Sequence, residues 1–358
     1  MEETALIYCE GHFTDLDGKT ANGLIRHSKK YKIVGVIDSH FSGMDSGMIL
    51  DGKKNKKLIY FDLTEAVTQL GKVPNCFIFG LAPKEAFLSI AERRVILDAM
   101  DMGMNIIIGL HEFITEDEEF IQASQKNHVR IEDIRKPKPK KYLNLYTGDI
   151  RQVKIPKIGV FGTDCAVGKR TTALLLADAF EARGLKVLFI GSGQTALIQG
   201  EKYGVAMDAM TSEFMTGEFE HVILEGVRRE KPDIILIEGQ SAMSHPAFIS
   251  TCAIIRGSMP DAIILQHPPK RKFRVDFSEF LMPEVEEEIK LLESYSKVPV
   301  LAITLNHEKM SIDEINETIG NYEQDYAITT TDPLVFGCDK LIDVIINQFP
   351  KLLEKKLE

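Results

Sequence analysis

The chain has 358 residues, 44% of them hydrophobic, and a formal net charge of -10. This length exceeds the roughly 100–200 residues of a usual single domain, so two domains are expected. The acidic balance argues against nucleic acid as a partner. No uncharged apolar run approaches the roughly 18 residues that span a membrane, and the opening Met-Glu-Glu-Thr lacks the pattern of a signal peptide. The expected location is the cytoplasm, with no membrane partner.

The first part of the chain alternates short apolar runs with helical patterns. The apolar runs of β-strand type lie at residues 5–9, 32–37, 57–61, 75–79, 105–108 and 128–131. The helical patterns between them lie at residues 64–70, 83–102 and 116–124. Strands that alternate with helices predict a doubly wound parallel sheet, and we assign residues 1–135 to this first α/β domain.

Three polar residues of this domain allow two interpretations. No Gly-x-Gly-x-x-Gly motif follows the opening strand, which disfavours a standard dinucleotide site. Asp38 follows the second run, where such folds often hold ribose, and Lys19 and Thr20 stand at a predicted helix start, where an anion can bind. Each position also suits ordinary helix capping, which is the preferred interpretation.

A basic, proline-bearing stretch from Arg135 to Lys141 interrupts the pattern. Because proline cannot continue a helix or a central strand, we place a junction at residues 136–156. Beyond it, β-type runs near residues 158–161, 187–190, 234–237, 262–265 and 300–304 predict a second α/β domain at residues 157–358. The lysine-rich residues 351–358 predict a solvated helix end.

A glycine-rich loop between the first strand and the first helix of the second domain is the most informative motif. Its candidate ligand-binding residues are Gly162, Thr163, Asp164, Cys165, Ala166, Val167, Gly168, Lys169, Arg170, Thr171 and Thr172. In this context the backbone N–H groups and the helix N-terminus face an anion, and Lys169 adds a full positive charge. The loop therefore predicts a phosphate-bearing ligand. Cys165 is either a thiol made reactive by the helix end or, as we favour, a small residue that fits.

Magnesium binding has weaker support than phosphate binding. The usual motif places a hydroxyl directly after the lysine to hold Mg²⁺, but Arg170 stands there and the hydroxyls come at Thr171 and Thr172. Glu238 ends a strongly apolar run, where P-loop proteins keep a carboxylate that orients metal or water. Thr171 and Glu238 are thus the candidate metal ligands of a site that Arg170 disfavours. Glu238 is also the leading catalytic candidate.

Polar residues that follow the other strands supply further candidates, since ligands in open α/β sheets bind beyond the carboxyl ends of strands. His245 precedes Pro246 and cannot lie within a helix, so it is either a general base or a structural loop residue. Gly193 permits close approach of a ligand, and Gln194 offers polar contacts. Asn306 either reads a base edge through hydrogen bonds or caps the following helix.

A cluster of cations follows the strand at residues 262–265. Within it, His267 and Lys270 are candidates to bind a carboxylate or phosphate, and His267 is also a catalytic candidate. The neighbouring Arg271, Lys272 and Arg274 are interpreted as solvated surface, because Lys and Arg runs usually are.

The chain resembles the DgcN-type D-glutamate N-acetyltransferases, a bacterial and archaeal family formerly catalogued as a domain of unknown function. The features that carry the resemblance are Lys19-Thr-Ala21, Val36-Ile-Asp38, Gly162 to Lys169 with Thr171-Thr172, Gly193-Gln-Thr195, Glu238-Gly-Gln240, His245-Pro246 and Asp332-Pro333. The resemblance implies a Rossmann-like domain followed by a P-loop NTPase-like domain. It also implies acetyl transfer from acetyl-CoA to the amine of D-glutamate or a similar acidic amino acid.

The glycine-rich loop is also similar to that of dethiobiotin synthetase, which reads Gly-Thr-Asp and pairs with a strand ending in Glu-Gly, as Ile237-Glu-Gly239 does here. Arg170 replaces the metal-binding threonine of those enzymes. This resemblance implies a ligase or kinase-like enzyme with ATP and Mg²⁺ as the alternative to acetyl transfer. A non-catalytic nucleotide sensor is a third possibility. In each case we expect a small-molecule substrate and a homo-oligomer.

For acetyl transfer, the loop would hold a phosphate of CoA. Glu238 or His245 would remove the proton of the substrate ammonium, and backbone donors or His267 would stabilise the developing oxyanion.

Overall fold

The structure is a computed structural model that describes residues 3–82 and 87–354. The chain divides into two compact units. The first unit comprises Met1–Pro137 and Gln194–Lys202, and the second comprises Lys138–Gly193 and Tyr203–Glu358. Residues 157–358 as a whole were predicted to form the second domain, and the return of Gln194–Lys202 to the first unit was not predicted.

The first unit contains a six-stranded parallel sheet with strand order β3-β2-β1-β4-β5-β6. Its strands are β1 Glu3–Tyr8, β2 Tyr31–Ile37, β3 Leu58–Tyr60, β4 Cys76–Phe79, β5 Asn105–Ile108 and β6 Ile131–Asp133. The helices of residues 1–137 are α1 Lys19–Arg26, α2 Ser46–Asp51, α3 Leu63–Leu70, α4 Ile90–Asp101 and α5 Glu118–Asn127. Strand β4 is buried along its whole length and β5 is buried except at Asn105, as expected when helices cover both faces of a parallel sheet.

Local chemistry sets several element boundaries in this unit. A capping box formed by Ser89 and Glu92 starts α4, and the earlier residues 83–86 of that predicted helix lie outside the described residues. His128 ends α5 with a left-handed φ of 53°. The sixth strand consequently begins at Ile131, three residues later than the pattern predicted.

The segment Gln194–Lys202 contains α7, Gln194–Gln199, which packs against α1. The Gln199 side chain donates to the carbonyls of Gly23 at 2.8 Å and His27 at 2.9 Å. The hydroxyls of Thr20 and Thr195 lie 3.0 Å apart and are buried. These buried contacts explain why the segment belongs with the first unit.

The second unit contains another six-stranded parallel sheet, with strand order β12-β11-β10-β7-β9-β8. Its strands are β7 Lys157–Gly162, β8 Val187–Ile190, β9 Ile234–Glu238, β10 Ala262–His267, β11 Val300–Leu305 and β12 Thr329–Thr331. Its helices are α6 Lys169–Ala182, α8 Ser212–Glu230, α9 Ser250–Ser258, α10 Val285–Ser296, α11 Ile312–Tyr326, α12 Pro333–Phe336, α13 Asp339–Gln348 and α14 Lys351–Glu354.

The α/β fold class predicted from the sequence is confirmed by the two parallel sheets. The sequence analysis missed β12, because a strand of three threonines carries no apolar run. Residues 355–358 of the predicted terminal helix lie outside the described residues. Within the described part of the chain, no helix is both long enough and apolar enough to cross a membrane.

Candidate functional site

The glycine-rich loop of the second unit connects the end of β7 at Gly162 to the start of α6 at Lys169. Gly168 has a φ of 103°, which strongly favours glycine, and Ala166 also has a left-handed φ of 49°. A Cβ on Gly162 would lie 2.7 Å from Val167 Cγ2. The two glycines therefore permit a tightly wound loop, the backbone form that can cradle phosphate oxygens.

Lys169 supplies a buried positive charge to this loop. Its ammonium donates to the carbonyl of Asp164 at 2.6 Å. Burial lowers the pKa of Lys169, and the nearby thiol of Cys165 and carboxylates of Asp164 and Glu238 oppose that shift. An anion bound in the loop would favour the charged ammonium in the same way. The site thus fits a phosphate group.

Two arginines from the segment after β10 hold the loop in place. The Arg271 guanidinium donates to the carbonyls of Cys165 at 2.9 Å and Ala166 at 3.1 Å. The Arg274 guanidinium donates to the carbonyl of Thr163 at 3.2 Å. Both arginine side chains are almost fully buried. The loop is therefore fixed through its carbonyl groups, and the N–H of Thr163 also donates to the Gln266 carbonyl at 3.1 Å.

The interpretation of the cationic cluster as solvated surface was wrong for these two arginines. Arg271 is 9% exposed and Arg274 is 5% exposed. Lys270, which we had preferred, pairs instead with Glu314, and its side chain is 39% exposed. Charge composition alone could not make this distinction. The one feature of the sequence that could have indicated their burial is position: both arginines lie in the segment after β10, the strand that pairs with β7 next to the loop.

Asp164 balances the charge of the arginines. Its Oδ2 accepts from the backbone N–H of Val275 at 2.8 Å and from Arg271 at 3.4 Å. Its Oδ1 lies 3.5 Å from Arg274 Nη1 and 3.8 Å from His245 Nε2. Because the carboxylate is fully buried, Asp164 acts as an internal counterion.

His245 lies beside Asp164 with its ring fully buried. Its Nδ1 accepts from the backbone N–H groups of Ala247 at 3.2 Å and Phe248 at 3.3 Å. A neutral ring with this acceptor carries its proton on Nε2. Burial and then the charge of Arg274 lower the pKa of His245. In this arrangement Nε2 carries the proton but has no hydrogen-bond partner within the described residues, so His245 is not oriented as the base that its position suggested.

His267, at the end of β10, faces the loop from the neighbouring strand. Its Nδ1 lies 3.0 Å from the Thr163 hydroxyl. Burial, followed by the charge of Arg271, lowers the pKa of His267 to about 4. The ring is therefore neutral at pH 7 and supplies no net charge to an anion.

Glu238, at the end of β9, is buried, and its Oε2 accepts from the backbone N–H of Ser192 at 2.9 Å. Residue 238 pairs in the sheet with Val160 of β7, the strand that leads into the loop. The carboxylate is close enough to influence the Lys169 pKa. Glu238 thus lies at the expected position beside the phosphate cradle.

The hydroxyls after Lys169 differ in their surroundings. Thr172 is buried, and its hydroxyl donates to Gln266 Oε1 at 2.5 Å. Thr171 is half-buried and follows Arg170 in the first turn of α6. Thr172 therefore braces the helix against β10, while the role of Thr171 as a metal ligand stays a prediction.

The side chains of Asn306 and Gln194 both make contacts within the protein. The Asn306 amide donates to the Val167 carbonyl at 3.0 Å, and its Oδ1 accepts from the Glu308 N–H at 3.1 Å. It thus supports the loop and caps the next turn. Gln194 belongs to the first unit, where its side-chain amide donates to the Gly109 carbonyl at 2.7 Å. Gly193 stays in the second unit.

Asp164, Cys165 and His245 each offer one metal-ligand atom, and these atoms lie within 4.8 Å of one another. Sequence spacing could not reveal this cluster, because His245 is distant in the chain. A divalent cation there would adjoin the guanidiniums on Asp164. Burial also raises the pKa of the Cys165 thiol to about 11, against the reactive-thiol interpretation. The surrounding charge favours an anion over a cation.

The corresponding polar residues of the first unit serve its fold. Asp38 is buried, and its carboxylate accepts from the N–H groups of Phe13 and His40, each at 3.0 Å. The Thr20 hydroxyl pairs with Thr195. The preference for capping over ribose binding at Asp38 agrees with these contacts.

The chain matches two described domains of one family. Residues 39–137 match a domain of unknown function described as Rossmann-like, DUF1611_N. Residues 144–342 match the domain of unknown function DUF1611_C, described as a P-loop domain. The predicted order of a Rossmann-like and a P-loop domain is therefore confirmed.

Similar proteins of known sequence and structure support the same assignment. A D-glutamate N-acetyltransferase of Pseudoalteromonas sp is 32% identical over 273 residues, which cover 74% of this chain and 80% of the relative. A second protein named D-glutamate N-acetyltransferase, from Tritonibacter scottomollicae, is 27% identical, and the match covers 79% of this chain and 85% of that relative. A crystallised DUF1611 family protein from Anabaena variabilis is 28% identical, with a TM-score of 0.89 over 97% of this chain and all of that one. This chain belongs to the DUF1611 family.

Proposed function

We propose that this protein is an N-acetyltransferase that moves the acetyl group of acetyl-CoA to the amine of D-glutamate or a similar acidic amino acid. The observation that carries the proposal is the buried phosphate cradle around Lys169, present in a chain whose relatives are named D-glutamate N-acetyltransferase. CoA is a donor rich in phosphate groups, and the cradle has the charge and backbone geometry to hold one of them.

The loop and Lys169 would bind the phosphate, and Arg271 and Arg274 would keep the loop in its binding form. Because both arginines already contact loop carbonyls, their contribution is positioning. Pre-organised N–H donors lose little freedom when the ligand arrives, which increases affinity.

Direct transfer to the amine is favoured over an acetyl-cysteine intermediate. Cys165 is the thiol of the loop, and burial raises its pKa to about 11. A protonated thiol is a poor nucleophile at neutral pH. The substrate nitrogen would instead attack the thioester carbon, with a C–N bond forming as the C–S bond breaks and its electron pair passing to sulfur. The substrate ammonium must lose one proton before the attack, and the nitrogen releases a second proton as the amide forms.

The test is release of free CoA thiol from acetyl-CoA across a panel of D- and L-amino acids, with product mass measured in parallel. We expect thiol release and an acetylated product with D-glutamate or another acidic amino acid. An absence of thiol release across the whole panel would contradict the proposed function.

A Mg²⁺- and ATP-dependent ligase or kinase-like activity is the second candidate. The location of Glu238 at the end of β9, beside the P-loop, favours it. Arg170 weighs against it, because this residue replaces the hydroxyl that usually holds Mg²⁺. Formation of ADP that requires both Mg²⁺ and an amino acid would support this candidate over acetyl transfer.

A further inference from the structure

A histidine and an aspartate at the ends of β11 and β12 form a hydrogen-bonded pair. His307 Nδ1 lies 2.6 Å from Asp332 Oδ2. The Asp332 carboxylate is fully buried, whereas the His307 side chain is 38% exposed. An ionised carboxylate can only accept a hydrogen bond, so the proton of this bond is on His307 Nδ1. In the neutral ring the other nitrogen, Nε2, then carries the free lone pair. The pair has the form of a general base oriented by a buried carboxylate.

Helix capping accounts for only part of this arrangement. Asp332 Oδ1 accepts from the backbone N–H groups of Leu334 at 3.0 Å and Val335 at 3.3 Å, which caps α12. The other oxygen, Oδ2, contacts His307 instead. One carboxylate therefore caps a helix and fixes the ring of a half-exposed histidine at the same time.

The pair lies at the edge of the sheet that carries the phosphate cradle. Residues 304 and 331 are partners in the parallel pairing of β11 and β12, so both strands end together. The residue before His307, Asn306, donates to the loop carbonyl of Val167 at 3.0 Å. The residue after it, Glu308, lies 2.8 Å from the Arg271 guanidinium that holds the loop. His307 is thus flanked by two residues that support the cradle.

The candidate bases named from the sequence are less suitable. His245 has its Nδ1 occupied by two backbone N–H groups. His267 faces Thr163 and is buried. Glu238 is buried and accepts from Ser192. His307 combines an oriented ring with a side chain that is 38% exposed.

We propose that His307 and Asp332 form the proton-accepting dyad of the transfer, with His307 Nε2 taking the proton from the substrate ammonium. This inference rests on the proposed acetyl transfer. The freed amine attacks the thioester carbon, the C–S bond breaks, and the proton on His307 passes to the departing thiolate sulfur. The nitrogen then loses its second proton to solvent through the emptied Nε2, which leaves the neutral amide. Asp332 holds the ring in place through its hydrogen bond with Nδ1.

The test compares His307→Ala and Asp332→Asn with wild type in the thiol-release assay. Asparagine caps helices about as well as aspartate, so Asp332→Asn keeps the cap while removing the charge behind the ring. We expect kcat to fall about 100-fold or more in His307→Ala, with the KM for acetyl-CoA changed less than threefold. Added imidazole should restore part of that activity. A kcat within twofold of wild type in His307→Ala would overturn the dyad.

A matched control is the exposed pair of His12 and Asp15 in the first unit, whose Nδ1 to Oδ2 distance is 3.0 Å. His12→Ala should leave kcat unchanged. Nitrogen NMR of the His307 ring needs no substrate and should show the proton on Nδ1 in the neutral wild-type ring. A proton on Nε2 would overturn the dyad whatever the assay gives. An inactive wild type would instead overturn the proposed transfer.

Discussion

The two units share a six-stranded parallel sheet, yet they use the carboxyl ends of their strands differently. In the first unit, Asp38 follows β2, and each of its carboxylate oxygens accepts a hydrogen bond from a backbone N–H group. In the second unit, Lys169, Arg271 and Arg274 surround one loop as buried charges. Buried charge is costly unless it is paired. The buried charges around this loop are the reason that we propose ligand binding in the second unit, which the shared architecture alone does not suggest.

The largest expected effect is at Lys169. Lys169→Met removes the ammonium while keeping the length of the side chain. We expect acetyl transfer to fall about 100-fold or more, because a charged donor to phosphate is lost. The fold should remain as stable as wild type, since burial already disfavours this charge. Thiol release and urea unfolding measure the two effects.

Lys19→Met is the matched control from the first unit, where Lys19 also begins a helix but is exposed. It should leave thiol release unchanged. Equal losses of thiol release in Lys169→Met and Lys19→Met would contradict the proposal that the ligand binds specifically in the second unit.

The next effect concerns the arginines that hold the loop. Arg274→Ala leaves the buried carboxylate of Asp164 with less positive charge and removes the donor to the Thr163 carbonyl. We expect the free energy of unfolding to fall by about 2–4 kcal/mol, measured by urea denaturation. Lys270→Ala, which removes an exposed cation from the same cluster, should leave unfolding unchanged. A similar loss of unfolding free energy in both variants would show that the contribution of Arg274 to stability does not depend on its burial.

A smaller effect is expected at Asp38. Asp38→Ala removes a carboxylate that accepts from two backbone N–H groups. We expect a loss of about 1–2 kcal/mol in the free energy of unfolding. The dissociation constant for acetyl-CoA should stay the same, because Asp38 serves the fold. A tenfold weakening of acetyl-CoA binding would instead assign ligand binding to the first unit.

The smallest effect on catalysis is expected at Cys165. Cys165→Ala should keep thiol release within about threefold of wild type, because the thiol is protonated at neutral pH and takes no covalent part. Its raised pKa of about 11 predicts slow alkylation by iodoacetamide at pH 7 and faster alkylation as the pH rises towards that value. Detection of acetylated Cys165 after incubation with acetyl-CoA would contradict direct transfer.

Periodicity and motif spacing predicted most of the fold and the location of the loop. Strands such as β9, Ile234–Glu238, carry continuous apolar runs that are typical of buried parallel strands. The glycine pattern located the cradle because Gly168 needs a left-handed φ. The return of α7 to the first unit was not predictable, since it depends on packing against α1 between residues far apart in the chain.

Side-chain burial and tautomers were the parts of the site that the sequence could not reveal. Arg271 and Lys270 are neighbours of the same charge, but they have opposite exposure. His245 and His307 both follow strand regions, but only the contacts of each Nδ1 show which ring can accept a proton at Nε2. These properties arise from three-dimensional packing, so no local pattern encodes them.

Isothermal titration of the wild-type protein with acetyl-CoA, in the presence of EDTA, tests the central claim most directly. We predict one binding site per chain that does not require Mg²⁺ and that is lost in Lys169→Met. No binding of acetyl-CoA, together with Mg²⁺-dependent binding of ATP, would contradict the account.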